Sequence, residues 1–302
     1  MKTILRTFVG CTAILFGTAC MGAVKYVPEN MKVELSLKVP GNNAVNYKLH
    51  PDKLENSYFD YEWRSDNKLP ITVFHKVEER DSCMRLTVQL TAAQDVYFNY
   101  RQLLSTGYRH DNCQFYMPGF WYRRNLRSPK KAPSFHTSDS WLVREDRLSA
   151  PLTGIFSEKE KRFMTVNRLD DFSMDALATH KEGEIILSGK TSLGFTGFEN
   201  QQGIAMLSFG FPYREAPKSY IRKLTLAPEV EAFQLMKKGE SVLLTWEIME
   251  SGADDFSDFI QHTWEHCYDR QVFEPITLTA YISATLLSKF QIGNETVTIF
   301  NR

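Results

Sequence analysis

The sequence predicts a mostly-β protein, a large antiparallel β-sandwich of the supersandwich type closed by one C-terminal amphipathic helix. Three observations carry this. Apolar and polar residues alternate in one short run after another. No helical periodicity separates these runs over most of the chain. Near the C-terminus a single segment changes to a period of 3.6 residues. The first run, Met31 to Val39, puts Val33, Leu35, Leu37 and Val39 on one face. Ile71 to Val77 and Met84 to Leu90 follow, the second with Leu86, Val88 and Leu90 in register, and Asp95 to Tyr100 continues with Val96, Phe98 and Tyr100. Period-2 alternation marks strands with one buried face. Phe163 to Arg168, Glu184 to Gly189, Ala205 to Phe211 and Val242 to Ile248 are further strand candidates, and Lys237-Lys238-Gly239-Glu240 is expected to turn a hairpin.

Two regions depart from the pattern. Tyr108 to Ser149 is irregular, interrupted by Pro118, Gly119, Pro129 and Pro133, and rich in arginine and aromatic residues. Long ordered loops in compact domains are usually functional. The second departure is Phe256 to Arg270. Phe256, Phe259, Ile260, Thr263, Trp264, Cys267 and Tyr268 fall on one helical stripe, and Asp255 stands where an N-cap is needed.

The N-terminus has its own logic. Lys2 and Arg6 precede an apolar run from Phe8 to Ala19, too short for a stable membrane span, and Gly17-Thr18-Ala19 supplies small residues before Cys20. This predicts a signal peptide over residues 1–19 and lipidation of Cys20, hence an exported, periplasmic or outer-membrane lipoprotein held to the membrane by its lipid anchor. A sandwich domain over 20–275 and a tail over 276–302 complete the expected organisation.

Composition narrows the function. Lys+Arg and Asp+Glu are equal in number, so the formal net charge is zero and a nucleic-acid partner is not expected. Cys83, Cys113 and Cys267 follow Cys20 without a C-x-x-C spacing. That leaves either a Cys83–Cys113 disulfide or free buried thiols.

Only one motif suggests metal chemistry. His262-Thr263-Trp264-Glu265-His266 matches H-x-x-E-H. Both histidines avoid the apolar stripe of their helix, and a third protein ligand has little chain left to come from, so a solvated helix face is the reading preferred. No G-x-S-x-G and no glycine-rich phosphate loop is present. Glu145 and Asp146 are adjacent and therefore unsuited to paired acid/base work, which favours ion pairs with Arg144 and Arg147. Asp170-Asp171 after Arg168 reads in the same way, as an ion pair at a turn. No catalytic residue, metal or cofactor is expected from these patterns.

The segment Phe115 to Asn125 is the strongest binding candidate. Between residues 101 and 131 seven cations (Arg101, Arg109, Arg123, Arg124, Arg127, Lys130, Lys131) face one acid, Asp111. Aromatic faces stack on sugar rings, and guanidinium forks pair with carboxylates. Tyr116, Trp121, Tyr122, Arg123, Arg124, Trp141 and Arg144 are therefore expected to bind an acidic oligo- or polysaccharide. The competing reading is that the large rings anchor the loop to the core while the arginines stay solvated.

Several segments together resemble the N-terminal β-sandwich of secreted Bacteroidetes-type glycoside hydrolases of polysaccharide-utilisation systems. They are Pro118 to Arg123, Trp141 to Leu148, Asn167 to Asp170, Pro212-Tyr213-Arg214, and the helix with Trp264 and Tyr268. The resemblance covers roughly residues 25–275. It implies a module that packs on a helical (α/α)-barrel and helps to line its sugar cleft, with the catalytic carboxylates in the barrel. No barrel follows here, so the resemblance gives a carbohydrate-associated binding module as the first expectation. A glycoside hydrolase fragment that needs a helical catalytic domain from elsewhere is the second, and a structural envelope lipoprotein the third.

Overall fold

The computed structural model describes residues 28–39, 42–55, 58, 60–80, 83–125, 137–170, 184–188, 191–217, 219–222, 225–227 and 229–268. The expected signal peptide, Cys20 and the 276–302 tail lie outside these residues, as do Arg127, Lys130 and Lys131.

The chain is mostly β. One sheet runs, in spatial order, Ser140–Arg144, Phe195–Gln201, Ile204–Phe211, Val96–Arg109, Met31–Lys38 and Val45–Lys53, all antiparallel. Val230–Met236 joins it by pairing with the start of Val96–Arg109, and it carries Glu184–Ser188 beside it in the described residues' one parallel pairing. The second sheet runs Trp121–Arg123, Cys113–Met117, Leu152–Ser157, Arg162–Arg168, Ser241–Gly252, Cys83–Ala92, Ile71–Glu79 and Tyr61–Arg64. Val45–Lys53 belongs to both sheets. Its first half pairs with Met31–Lys38 and its second half with Tyr61–Arg64, so the two sheets form one continuous hydrogen-bonded surface at that side.

The alternation read from the sequence is the alternation that builds the core. Val33, Leu35, Leu86, Val88, Leu90, Phe98 and Tyr100 are buried between the sheets, whereas Val39, expected on the same face, lies just past the end of its strand and is exposed. Aromatic contacts join the two layers. Tyr100 and Phe209 of the first sheet meet Trp246 of the second at 6.2 and 5.2 Å between ring centroids, and Phe198 stacks on Phe115 at 4.1 Å. Burial of rings of this size is the main favourable term in such a core. His75 sits among them fully buried, and its ring bonds Tyr100 Oη at 2.9 Å, while Tyr100 donates onward to Gln102 Oε1 at 2.7 Å. Burial pushes the His75 pKa down to about 3.

Two expectations change, and one open alternative is decided. Lys237 to Glu240 does turn, with Gly239 at φ 83°, but it carries the chain from one sheet to the other and closes no hairpin. The region Tyr108 to Ser149 is not a long loop. It contains the strands Cys113–Met117, Trp121–Arg123 and Ser140–Arg144 and the short turns His110–Asn112 and Glu145–Arg147. Every residue of Cys113–Met117 is buried, which removes the alternation that would have revealed it. Cys83, Cys113 and Cys267 are linked by no disulfide, the buried-thiol alternative left open above, and burial pushes the Cys113 thiol up to about 12. The helix Phe256–Tyr268 is present, and Asp255 Oδ1 caps it by accepting from the N–H groups of Ser257 (2.7 Å) and Asp258 (2.9 Å).

Candidate ligand-binding turn and polar cavity

The aromatic segment folds as a tight hairpin. Met117 pairs with Trp121, Tyr116 with Tyr122 and Phe115 with Arg123. The bend needs Gly119, whose φ is 79° and whose missing Cβ would stand 2.7 Å from Ser149 Oγ. Strand alternation then sends neighbouring side chains to opposite sides. Trp121 is fully buried, 5.3 Å from Trp141 and 5.0 Å from Phe198, while Tyr122 is 52% exposed. Tyr122 Oη accepts from the Gly119 N–H at 3.2 Å, which fixes the ring over the bend.

Arg123 and Asn125 hold φ values of 57° and 50°, a left-handed conformation that costs energy in residues with a Cβ. The surroundings enforce it. Trp121 Nε1 donates to the Arg123 carbonyl at 2.8 Å, and Asn125 Oδ1 accepts from the Tyr122 N–H at 3.3 Å. The exposed Arg123 guanidinium lies 5.1 Å from the Phe256 ring centroid. Arg124 reaches back to the carbonyls of Cys113 (3.0 Å) and Asp111 (2.5 Å) and to Glu158 (3.5 Å).

The seven residues expected to bind ligand thus do not form one surface. Tyr122, Arg123 and Arg124 come together on the turn. Tyr116, Trp121 and Trp141 are buried, because a wide apolar ring gains more from the sandwich interior than from water. Tyr116 is packed edge-on to Phe256 and Phe259. Arg144 is buried as well, bidentate on Asp146 at 3.0 and 2.7 Å and 4.4 Å from the Tyr213 ring centroid. The cation excess counted along the sequence also shrinks, since Arg101 pairs with Glu34 and Glu199 from distant strands.

Arg144 opens a buried ionic cluster in which Asp146 pairs with Arg144 as expected, whereas Glu145 and Arg147 find partners from distant strands. Arg168 Nη1 donates to Glu145 Oε2 at 2.6 Å, and Arg147 pairs with Glu215. Desolvation raises the carboxyls of both Glu145 and Glu215, the neighbouring arginines working against it. Beside this cluster lies an open cavity of about 430 Å³, lined by residues that include Arg168, Asp170, Ser192, Phe211, Gln234 and Leu243. Of these, Asp170 pairs with Arg168 as the sequence suggests, whereas no sequence expectation fell on Gln234. Its signal was a lone amide in the apolar run Ala232-Phe233-Gln234-Leu235-Met236.

The H-x-x-E-H segment lies on the helix as expected. Glu265 accepts from Gln261 Nε2, one turn earlier, at 2.8 Å. Among the described residues no helix is long and apolar enough to cross a membrane.

No protein-family model and no curated protein matches the chain. Solved structures give weak likenesses. A polysaccharide lyase aligns at 13% identity over 78% of this chain and 27% of its own, with a TM-score of 0.37. The Slr1438 protein of Synechocystis sp. PCC 6803 aligns at 8% identity over 72% of this chain and 73% of its own, with a TM-score of 0.37. An aldose 1-epimerase-like protein of Escherichia coli K12 aligns at 8% identity over 72% and 79%, also at 0.37. The chain spans about a quarter of the lyase, and likenesses at these values carry no argument about activity.

Proposed function

We propose that this chain is a carbohydrate-associated β-sandwich module that binds an acidic glycan at the Tyr122–Arg123–Arg124 turn. One observation carries the reading: an exposed tyrosine ring and an exposed guanidinium share a turn whose backbone is held in a strained conformation at Arg123 and Asn125. Strain of this kind clusters at ligand-binding sites. The ring offers a stacking face, and the guanidinium offers a fork that fits a uronate carboxylate. The reading also places the protein outside the cytoplasm, anchored through a lipid on Cys20.

The test is a glycan-binding assay on residues 21–302, comparing uronic-acid-containing chains with neutral chains of the same linkage. Binding should prefer the uronates, weaken as salt is raised, and fall at least tenfold in Tyr122→Ala and in Arg123→Asn, since asparagine tolerates the left-handed backbone. Retention of uronate binding in both variants would overturn the reading. Metabolic labelling with a fatty acid, lost in Cys20→Ala, tests the anchor separately.

A further inference from the structure

We infer a second ligand site, independent of the turn: the cavity beside Arg168 binds an uncharged polyhydroxyl ligand, a neutral sugar presenting adjacent hydroxyls. The cavity's volume of about 430 Å³ falls in the range of small-molecule sites. Its polar groups are fixed in place, and two of them have capacity left over.

Arg168 is the scaffold. It is almost wholly buried, and its Nη1 donates to Glu145 Oε2 (2.6 Å) and to the Ser192 carbonyl (2.9 Å). Its Nε donates to Asp170 Oδ2 (3.1 Å), and its guanidinium lies 5.3 Å from the Phe211 ring centroid. These contacts hold Asp170 in one orientation. Asp170 Oδ2 accepts a second bond, from the Thr245 N–H at 2.8 Å, so both fixed bonds fall on one oxygen. Oδ1 has no partner among the described residues and belongs to a side chain that is 26% exposed.

Gln234 is the complement. It is buried to 6% exposure, and its Oε1 accepts from the Thr191 N–H at 3.0 Å. That bond leaves the Nε2 amide as a donor without an acceptor among the described residues, on a side chain that lines the cavity. A free carboxylate oxygen and a free amide donor in one cavity suit hydroxyl groups, each of which can donate to one and accept from the other. Exposed Leu243 offers an apolar wall for the C–H face of a sugar ring.

Charge excludes an anion here. The one lining guanidinium is already matched by Glu145 and Asp170, and Glu240 adds a further carboxylate to the wall. An anionic ligand would face the carboxylates of Asp170 and Glu240 with no spare cation in the wall, whereas a neutral polyol would not be repelled. The site therefore differs in ligand class from the turn.

The experiment is saturation-transfer NMR and calorimetry on residues 21–302, with a panel of neutral methyl glycosides and the matching methyl uronides as probes. With the turn disabled by Tyr122→Ala and Arg123→Asn, a neutral glycoside should bind at least tenfold more tightly than its uronide. Affinity should fall at least tenfold in Asp170→Asn and in Gln234→Glu. The second variant keeps an acceptor for the Thr191 N–H while replacing the donor by a charged oxygen, and a chemical-denaturation curve for each variant separates lost binding from lost folding. Binding should be unchanged in Tyr122→Ala and Arg123→Asn, which separates this site from the turn. Absence of neutral-glycoside binding, retention of it in Gln234→Glu, or its loss in the two turn variants would each overturn the proposal.

Discussion

The hairpin around Trp121 and the cavity beside Arg168 are opposites. The hairpin is conspicuous in the sequence, dense in rings and cations, yet most of its rings are interior. The cavity is inconspicuous, assembled from an Arg-x-Asp pair and a single glutamine some 60 residues away along the chain, yet its polar atoms keep unfilled hydrogen-bonding capacity. The difference teaches that ring and charge density along a chain measure how much an element can bury, whereas binding capacity is measured by which donors and acceptors remain after folding has used the rest.

The comparison is broken most directly at Trp121. If its ring is core, Trp121→Ala lowers stability by about 3–5 kcal/mol in chemical denaturation. A variant that keeps its stability but loses glycan would restore Trp121 to the ligand surface. At the cavity end, Arg168→Ala leaves Glu145 buried without its cation. The expected cost is also about 3–5 kcal/mol, and a shift below about 1 kcal/mol would mean that water reaches the cluster.

A third buried polar group sharpens the contrast: His75, fully buried, bonds Tyr100 Oη in the core, and burial alone pushes its pKa down. Its folded pKa of about 3 lies below the unfolded value. The unfolded chain therefore takes up the proton first, and stability falls as pH drops from about 6.5 towards 3. The total is on the order of a few kcal/mol. His75→Gln should flatten that part of a stability-against-pH curve, and an unchanged slope would place the acid response elsewhere. The smallest effect is expected at Tyr122, where Tyr122→Ala should move stability by no more than about 0.5 kcal/mol while abolishing most uronate binding.

Much of the fold was legible because the alternating runs are long and single-faced. Leu86, Val88 and Leu90 announce their strand, and Phe256, Phe259 and Asp255 announce the helix and its cap. Cys113–Met117 was not legible, since a strand buried on both faces shows no alternation. The pairing of the Lys237–Glu240 turn was also hidden, because two apolar runs around a glycine look alike whether they share a sheet or change sheets. At the site, residue types identified Tyr122 and Arg123 but could not separate them from Trp121, one position away. That separation comes from the parity of the strand, which the sequence leaves open wherever both neighbours are aromatic. The cavity depended on which oxygen of Asp170 and which atom of Gln234 stay unbonded, a property of tertiary contacts alone.

Val45–Lys53, shared by both sheets, has a consequence for behaviour at high concentration. Sheets end in unpaired backbone groups that invite strands from other molecules. Here one side of the sandwich has no such end, because a single strand stitches both layers together. Elsewhere the outermost described strands include Trp121–Arg123, Ser140–Arg144 and Glu184–Ser188, three, five and five residues long, and the tryptophans of the first two lock against each other. The Leu142 backbone is also bridged to Ala216. A β-rich molecule built this way offers neighbouring copies little to extend, so it should resist fibrillar growth and stay dispersed where an open-ended sheet would polymerise.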